Sequence, residues 1–191
     1  MELVFASSNQ HKKQEIALLL PKGIALKGLQ DMGCAEELAE TQTTLEGNAL
    51  QKARYIGSTY RVNCFADDTG LEIQALEGRP GVYSARYAGE QKSAEDNMRK
   101  VLQELAPISN RKARFRTVIA LILDGKEQLF EGIVEGRIAA EKNGGSGFGY
   151  DPIFIPNGYS KTFAQMSISE KNTLSHRALA ISKLVSFLST Y

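Results

Sequence analysis

A long hairpin in the second half of the chain restricts the fold more than any other feature. Arg114 to Leu123 reads as one strand, Asp124-Gly125 as a two-residue turn, and Glu127 to Ala139 as the returning partner. Strands joined this tightly pair antiparallel. Upstream, short apolar strands alternate with segments of helical period, the order that builds parallel pairs. Leu3 to Ala6 reads as a buried strand, and a helix follows from His11 with Ile16, Leu19 and Leu20 on one face and Pro21 as its stop. Ile24 to Leu29 is the next strand, and Leu45, Ala49, Ala53 and Ile56 then recur at helical spacing behind Thr44. Val62 to Ala66 reads as a strand broken at Asp67-Asp68-Thr69-Gly70, with alternation resuming over Leu71 to Ala75. Ser93 caps a helix carrying Met98, Val101, Leu102 and Leu105, and Ser175 opens a final helix with Leu179, Leu184 and Leu188 turned to the core. Parallel units plus a long antiparallel hairpin predict an α/β protein with a mixed sheet.

Composition narrows the partners. The chain has 191 residues, 42% of them hydrophobic, enough for one domain or one domain of two lobes. Its 23 basic residues nearly balance 22 acidic ones, so nothing points to a nucleic-acid polymer or a membrane surface as the main partner. The start, Met1 to Ala6, has no basic region ahead of a long apolar core, so no signal peptide is expected and a cytoplasmic location is. The two cysteines, Cys34 and Cys64, are too far apart for a metal-spaced pair. Cys64 reads as a small buried residue and Cys34 as an exposed thiol.

Four segments carry residues suited to chemistry. Asp67 and Asp68 are adjacent carboxylates at the end of an apolar run, either a solvated turn or a metal-binding pair. Neighbouring strand residues point to opposite faces, so both acids share one site only if the chain bends there. Ser7-Ser8-Asn9-Gln10-His11-Lys12 lies between a strand and a helix, where free backbone N–H groups, hydroxyls and a lysine suit phosphate. It lacks the glycine spacing of a P-loop. Gly144 to Pro152 is rich in glycine, with Phe148 and Tyr150 able to offer a flat surface to a base, or else forms a wide loop. Lys171, His176 and Arg177 make a late basic group, and neither histidine has a second at zinc-ligand spacing. Carboxylates for a metal, cations for phosphate and a glycine–aromatic segment for a base are together the parts of a phosphoryl-transfer site.

These segments resemble the non-canonical purine nucleoside-triphosphate pyrophosphatases, also called inosine triphosphate pyrophosphatases. The resemblance rests on Phe5 to Lys12 with Glu15, Phe65 to Leu71, Pro80 to Tyr87, Gly147 to Pro152 and Ser175 to Arg177, in family order. It implies an elongated two-lobed α/β fold, with a mixed twisted sheet, flanking helices and a central cleft, formed by residues 1–191 as one domain. It further implies a homodimer that hydrolyses ITP, dITP and XTP to the monophosphate and pyrophosphate with Mg²⁺. Carried over by position, Asp68 is the catalytic carboxylate and a metal ligand. Glu40 is the second acidic ligand, with Glu37 the alternative, because Ala39 stands where many members carry another acid. Ser7, Ser8, Asn9, Gln10, His11, Lys12 and Lys171 hold phosphates. Thr69, Phe148, Gly149, Tyr150, Asp151, His176 and Arg177 contact the rest of the substrate.

Overall fold

The computed structural model describes residues 1–191, and its backbone divides into two compact units. The first comprises Met1–Asp68, Thr117–Gly132 and Arg177–Tyr191, and the second Thr69–Arg116 and Ile133–His176. The strands are β1 (Glu2–Phe5), β2 (Ala25–Gly28), β3 (Cys64–Ile73), β4 (Pro80–Gly81), β5 (Lys112–Leu123), β6 (Lys126–Ile138) and β7 (Phe154–Pro156). They hydrogen-bond in the order β2-β1-β3-β5-β6-β7, with β4 paired to β3. The helices are α1 (Gln10–Ala17), α2 (Leu45–Tyr60), α3 (Ala94–Glu104), α4 (Ile168–Asn172) and α5 (His176–Leu188).

Both kinds of pairing foreseen from the sequence are present. β1 runs parallel to β2 and to β3, whereas β3–β4 and β6–β7 are antiparallel. The turn between β5 and β6 is Asp124-Gly125, both at positive φ (48° and 77°), the mirror-image geometry that suits a two-residue hairpin and favours glycine.

In the first unit, β1 and β3 place Phe5 opposite Phe65, and the rings stack with centroids 5.1 Å apart. Around them pack Leu3, Ile16, Ile119, Leu121, Leu123, Phe130, Ala180, Ile181 and Leu184. α1 is capped by Asn9, which accepts from the Lys12 N–H, and α2 by Thr44, which accepts from the Gly47 N–H. Burying a stripe of α5 in this cluster holds the end of the chain down. In the second unit, Met98 and Val101 of α3 pack with Leu71, Ile73, Phe115, Phe154 and Phe163.

Several local expectations are corrected. β3 does not break at Asp67–Gly70 but runs through it, because basic side chains compensate the buried acids. Ala75 lies in a 3₁₀ turn over Gln74–Leu76, not in the strand. Leu179 is 41% exposed, on the outer side of α5. Cys34 is buried, not exposed. Cys64 is buried as expected, and burial pushes its thiol up to about 12. β7 and α4 carry no strong periodic signal, since elements of 3 and 5 residues are too short to show a period.

Close approach of β6 and β7 constrains one glycine. A methyl at Gly136 would lie 2.3 Å from the Ile155 carbonyl oxygen and 2.7 Å from the Phe154 ring. Gly136→Ala is therefore expected to lower stability by about 1–3 kcal/mol through overpacking. Gly145→Ala, with no atom within 4 Å of the added methyl, should leave the urea midpoint near native. Equal midpoints for the two variants would show that the contact is not limiting.

Candidate active site

The first unit gathers a network of buried charge around the continuous strand β3. Asp67 and Asp68 are successive residues, so their side chains leave the strand on opposite faces and meet different partners. Asp67 is fully buried; its Oδ1 accepts from Lys12 Nζ at 3.0 Å and its Oδ2 from Arg177 Nε at 3.3 Å. Arg177 is 1% exposed, and its Nη1 also donates to Glu15 of α1. Asp68 is 8% exposed; its Oδ2 accepts from Asn48 Nδ2 at 3.0 Å, and its Oδ1 lies 3.8 Å from Lys52 Nζ.

The Asp68 side is organised by α2. Asn48 and Lys52 are one helical turn apart on the buried face that also carries Leu45, Ala49, Ala53 and Ile56. Asn48 Oδ1 accepts from the Gln42 N–H at 2.9 Å, which ties the segment before the helix to the group that holds Asp68. Lys52 Nζ donates to Glu40 Oε1 at 2.5 Å and to the Asp67 carbonyl oxygen at 2.8 Å. Glu40 and Asp68 thus share one ammonium, whereas Glu37 is exposed.

The charges polarise one another. Burial alone would raise the Asp67 carboxyl, but Lys12, Arg177 and Lys52 overcome it and hold it well below the usual carboxylate range. Asp68 moves the other way: burial raises it, and Glu40 adds to the rise against Lys52, Lys12 and the Asn48 hydrogen bond. Lys12 is lowered, first by burial and then by Lys52 and Arg177, against the pull of Asp67. Lys52 is raised, because Asp68, Glu40 and Asp67 outweigh its burial.

Of the residues singled out in the sequence, Ser7, Asn9, Lys12, Glu40, Asp68 and Arg177 belong to this unit. Ser7 Oγ accepts from the Asn9 N–H at 3.2 Å and Asn9 caps α1, so both shape the turn that presents Lys12. Ser8, Gln10 and His11 are exposed beside it. Arg177 rests on two carboxylates here, a different setting from the one expected for reading a base. Lys52 and Asn48 were missed. Their signal was present as two polar residues one turn apart on an otherwise apolar stripe of α2.

The second unit gathers the remaining residues. Asp151 Oδ2 accepts from Lys171 Nζ at 2.6 Å and from the Phe148 N–H at 2.9 Å. The Lys171 ammonium lies 4.9 Å from the Phe148 ring centroid and 5.5 Å from that of Phe163, so the cation is held by a carboxylate and two aromatic faces. Lys171 is therefore grouped with Phe148 and Asp151. Tyr150 is buried, its hydroxyl donating to the Ser84 carbonyl oxygen at 2.8 Å, which leaves Phe148 as the partly exposed ring of the pair. Gly149 and Thr69 are partly exposed. His176 is 3% exposed and stacks on Phe115 with centroids 4.5 Å apart.

The sequence model of the Ham1 family matches residues 3–187. The chain belongs to the Ham1 family. A protein of Flavobacterium johnsoniae named dITP/XTP pyrophosphatase is 52% identical over 188 residues, covering 98% of each chain. One of the same name from Bacillus subtilis is 47% identical over 191 residues, covering 98% of this chain and 96% of that one. Among solved structures, the Ham1 protein of Staphylococcus aureus superposes with a TM-score of 0.90 at 41% identity, covering 100% of this chain and 99% of that one. A HAM1 protein from Coxiella burnetii gives 0.92 at 36% identity, with 100% of both chains covered. The mixed α/β architecture of this chain is thus that of solved Ham1 proteins.

In this Ham1-family chain the Asp67 carboxylate is the centre of compensation for Lys12 and Arg177. Its carboxyl is held below its ordinary 3.8, so the stability it contributes is complete above pH 3.8 and is lost as pH falls toward its folded value. Asp67→Asn is expected to cost about 3–5 kcal/mol at neutral pH, because two cations lose their buried partner. Below pH 3.8 the deficit relative to native should narrow, since the native carboxyl is then also losing its charge advantage. Urea denaturation across that range reads both effects, and a deficit that does not change with pH would contradict the linkage.

Proposed function

We propose that this protein is a Mg²⁺-dependent pyrophosphatase that converts dITP, ITP and XTP to the nucleoside monophosphate and pyrophosphate. The observation that carries the chemistry is the pairing of Glu40, in the segment before α2, with Asp68 of β3 around one ammonium, while Asp67 on the other face of β3 holds Lys12. The names of relatives covering nearly the whole chain support the substrate class and the bond.

The residues present fit Mg²⁺. Lys12, Lys52 and Arg177 face Glu15, Glu40, Asp67 and Asp68, a formal excess of one negative charge. No three side chains of histidine, cysteine, aspartate or glutamate converge as a cage. Mg²⁺ in nucleotide enzymes is held by one or two carboxylates, with phosphate and water completing its oxygen shell, so two suffice. Glu40 and Asp68 would hold it, and when bound it would neutralise phosphate oxygens and ease deprotonation of the attacking water.

The chain's own groups supply the rest. Asp68 accepts the water's proton at a carboxylate oxygen, and the acidity of the water rather than the basicity of the carboxylate carries most of the activation. Asn48 fixes that carboxylate by its hydrogen bond to Oδ2. Lys12 Nζ, presented by the Ser7–Asn9 turn, balances charge developing on the pyrophosphate leaving group. In the second unit, Phe148, Asp151 and Lys171 offer an aromatic face, an acceptor and a donor, the chemistry that reads a 6-oxopurine. Gly149, Tyr150, His176 and the Thr69 hydroxyl belong to the same reading as substrate contacts, with Tyr150 anchored on the Ser84 carbonyl oxygen and His176 stacked on Phe115. To the same reading belong a homodimer and a cytoplasmic location. No helix is long and apolar enough to cross a membrane.

Incubation with a panel of triphosphates and MgCl₂, followed by chromatography, tests the reaction. Monophosphate and pyrophosphate should form from dITP, ITP and XTP well ahead of ATP and GTP. Stepwise release of phosphate, or equal turnover of all five, would refute the reading. Asp68→Asn should lower kcat on the order of 10²-fold or more with the fold retained by circular dichroism. Near-native kcat in a folded variant would remove Asp68 from the mechanism.

A further inference from the structure

Lys52 is used neither by the phosphate-binding turn nor by the base-reading group, yet its charge is almost completely buried. Its side chain is 5% exposed, and its ammonium contacts Glu40 Oε1 at 2.5 Å, Asp68 Oδ1 at 3.8 Å and the Asp67 carbonyl oxygen at 2.8 Å. A lysine ammonium is a compact, strongly hydrated charge, and removing it from water is costly unless anions take the place of the solvent. An apolar residue would pack more cheaply on the buried face of α2, among Leu45, Ala49, Ala53 and Ile56. The position therefore needs a cation. The need is local, because Asp67, on the other face of β3, already has Lys12 and Arg177.

We propose that Lys52 is an internal placeholder cation: it holds Glu40 and Asp68 together when no divalent ion is bound, and competes with Mg²⁺ for the same carboxylates. The proposal rests on the reading that Glu40 and Asp68 are the metal-holding pair. Without a cation the two carboxylates repel, and the link through Asn48, which accepts from the Gln42 N–H and donates to Asp68, carries no charge to offset that repulsion. Lys52 supplies the missing attraction and keeps the pair assembled before metal arrives. The same charge opposes Mg²⁺ by Coulomb repulsion at short range. The Asp67 carbonyl oxygen is an acceptor outside the carboxylate pair, and the ammonium keeps it when the carboxylates are taken by metal. The cost of displacing Lys52 lowers Mg²⁺ affinity while leaving the pair preformed.

Isothermal titration with MgCl₂ and thermal unfolding in EDTA or MgCl₂ test this without reference to turnover. Lys52→Gln removes the charge and keeps a donor for the Asp67 carbonyl. It should bind Mg²⁺ at least about tenfold more tightly than the native protein. Its Tm should fall in EDTA and rise more on adding MgCl₂ than the native Tm does. Lys52→Arg keeps the charge and should stay near the native affinity. Lys52→Gln with native or weaker Mg²⁺ affinity overturns the proposal, and so does a variant unfolded both in EDTA and in MgCl₂, which would make Lys52 a structural anchor. A variant unfolded in EDTA and refolded by MgCl₂ supports it. Glu40→Gln and Asp68→Asn are the controls for the underlying reading. If both titrate like native, the metal pair itself is wrong and the placeholder falls with it. If they weaken Mg²⁺ while Lys52→Gln leaves it unchanged, only the placeholder falls.

Discussion

Two adjacent aspartates in the interior of a β-strand are the constraint around which the first unit is built. A buried carboxylate is tolerated only when cations and hydrogen bonds replace the water it gave up. Strand geometry sends Asp67 and Asp68 to opposite faces, so each needs its own compensation. Asp67 takes Lys12 from α1 and Arg177 from α5, and Arg177 in turn takes Glu15. Asp68 takes Asn48 and, at longer range, Lys52, both from α2. Three helices are thereby fastened to one strand by charge as well as by the apolar cluster around Phe5 and Phe65.

The same arrangement divides the labour between the two carboxylates. Cations on one side hold Asp67 in its ionised form, where it serves as an electrostatic anchor. Asp68 is compensated less fully, and burial together with the Glu40 charge raises its carboxyl. Adjacent residues of identical chemistry acquire different roles because the strand turns them toward different helices. A comparable economy operates in the second unit, where Asp151 holds both the Lys171 ammonium and the Phe148 N–H and so ties a short helix to a glycine-rich loop.

Much of this was legible in the order of the residues. The Asp124-Gly125 turn, the long strands beside it and the helical stripes of α2 and α3 follow from local periodicity and turn chemistry, which need no tertiary information. The Asp67-Asp68 pair, the Ser7–Lys12 turn and the glycine–aromatic segment were visible as motifs, since their residue types are costly without a purpose. Three short-range readings failed for one reason. The break at Asp67, the core-facing Leu179 and the exposed Cys34 were each judged from the residue's own polarity or period, while its burial is decided by what packs against it.

The sequence by itself therefore determined the mixed α/β class, the family and the identity of the acidic and basic groups, because those depend on patterns along the chain. Only the tertiary structure decided which charge meets which. Arg177 and Glu15 are 162 positions apart and Lys12 and Asp67 are 55 apart, distances over which spacing along the chain carries no geometric information. Lys52, which in sequence is one polar residue on a helix, became a participant only when folding put its ammonium against Glu40 and Asp68. Electrostatic energy depends on separation in space and on burial, and both are properties of the folded chain.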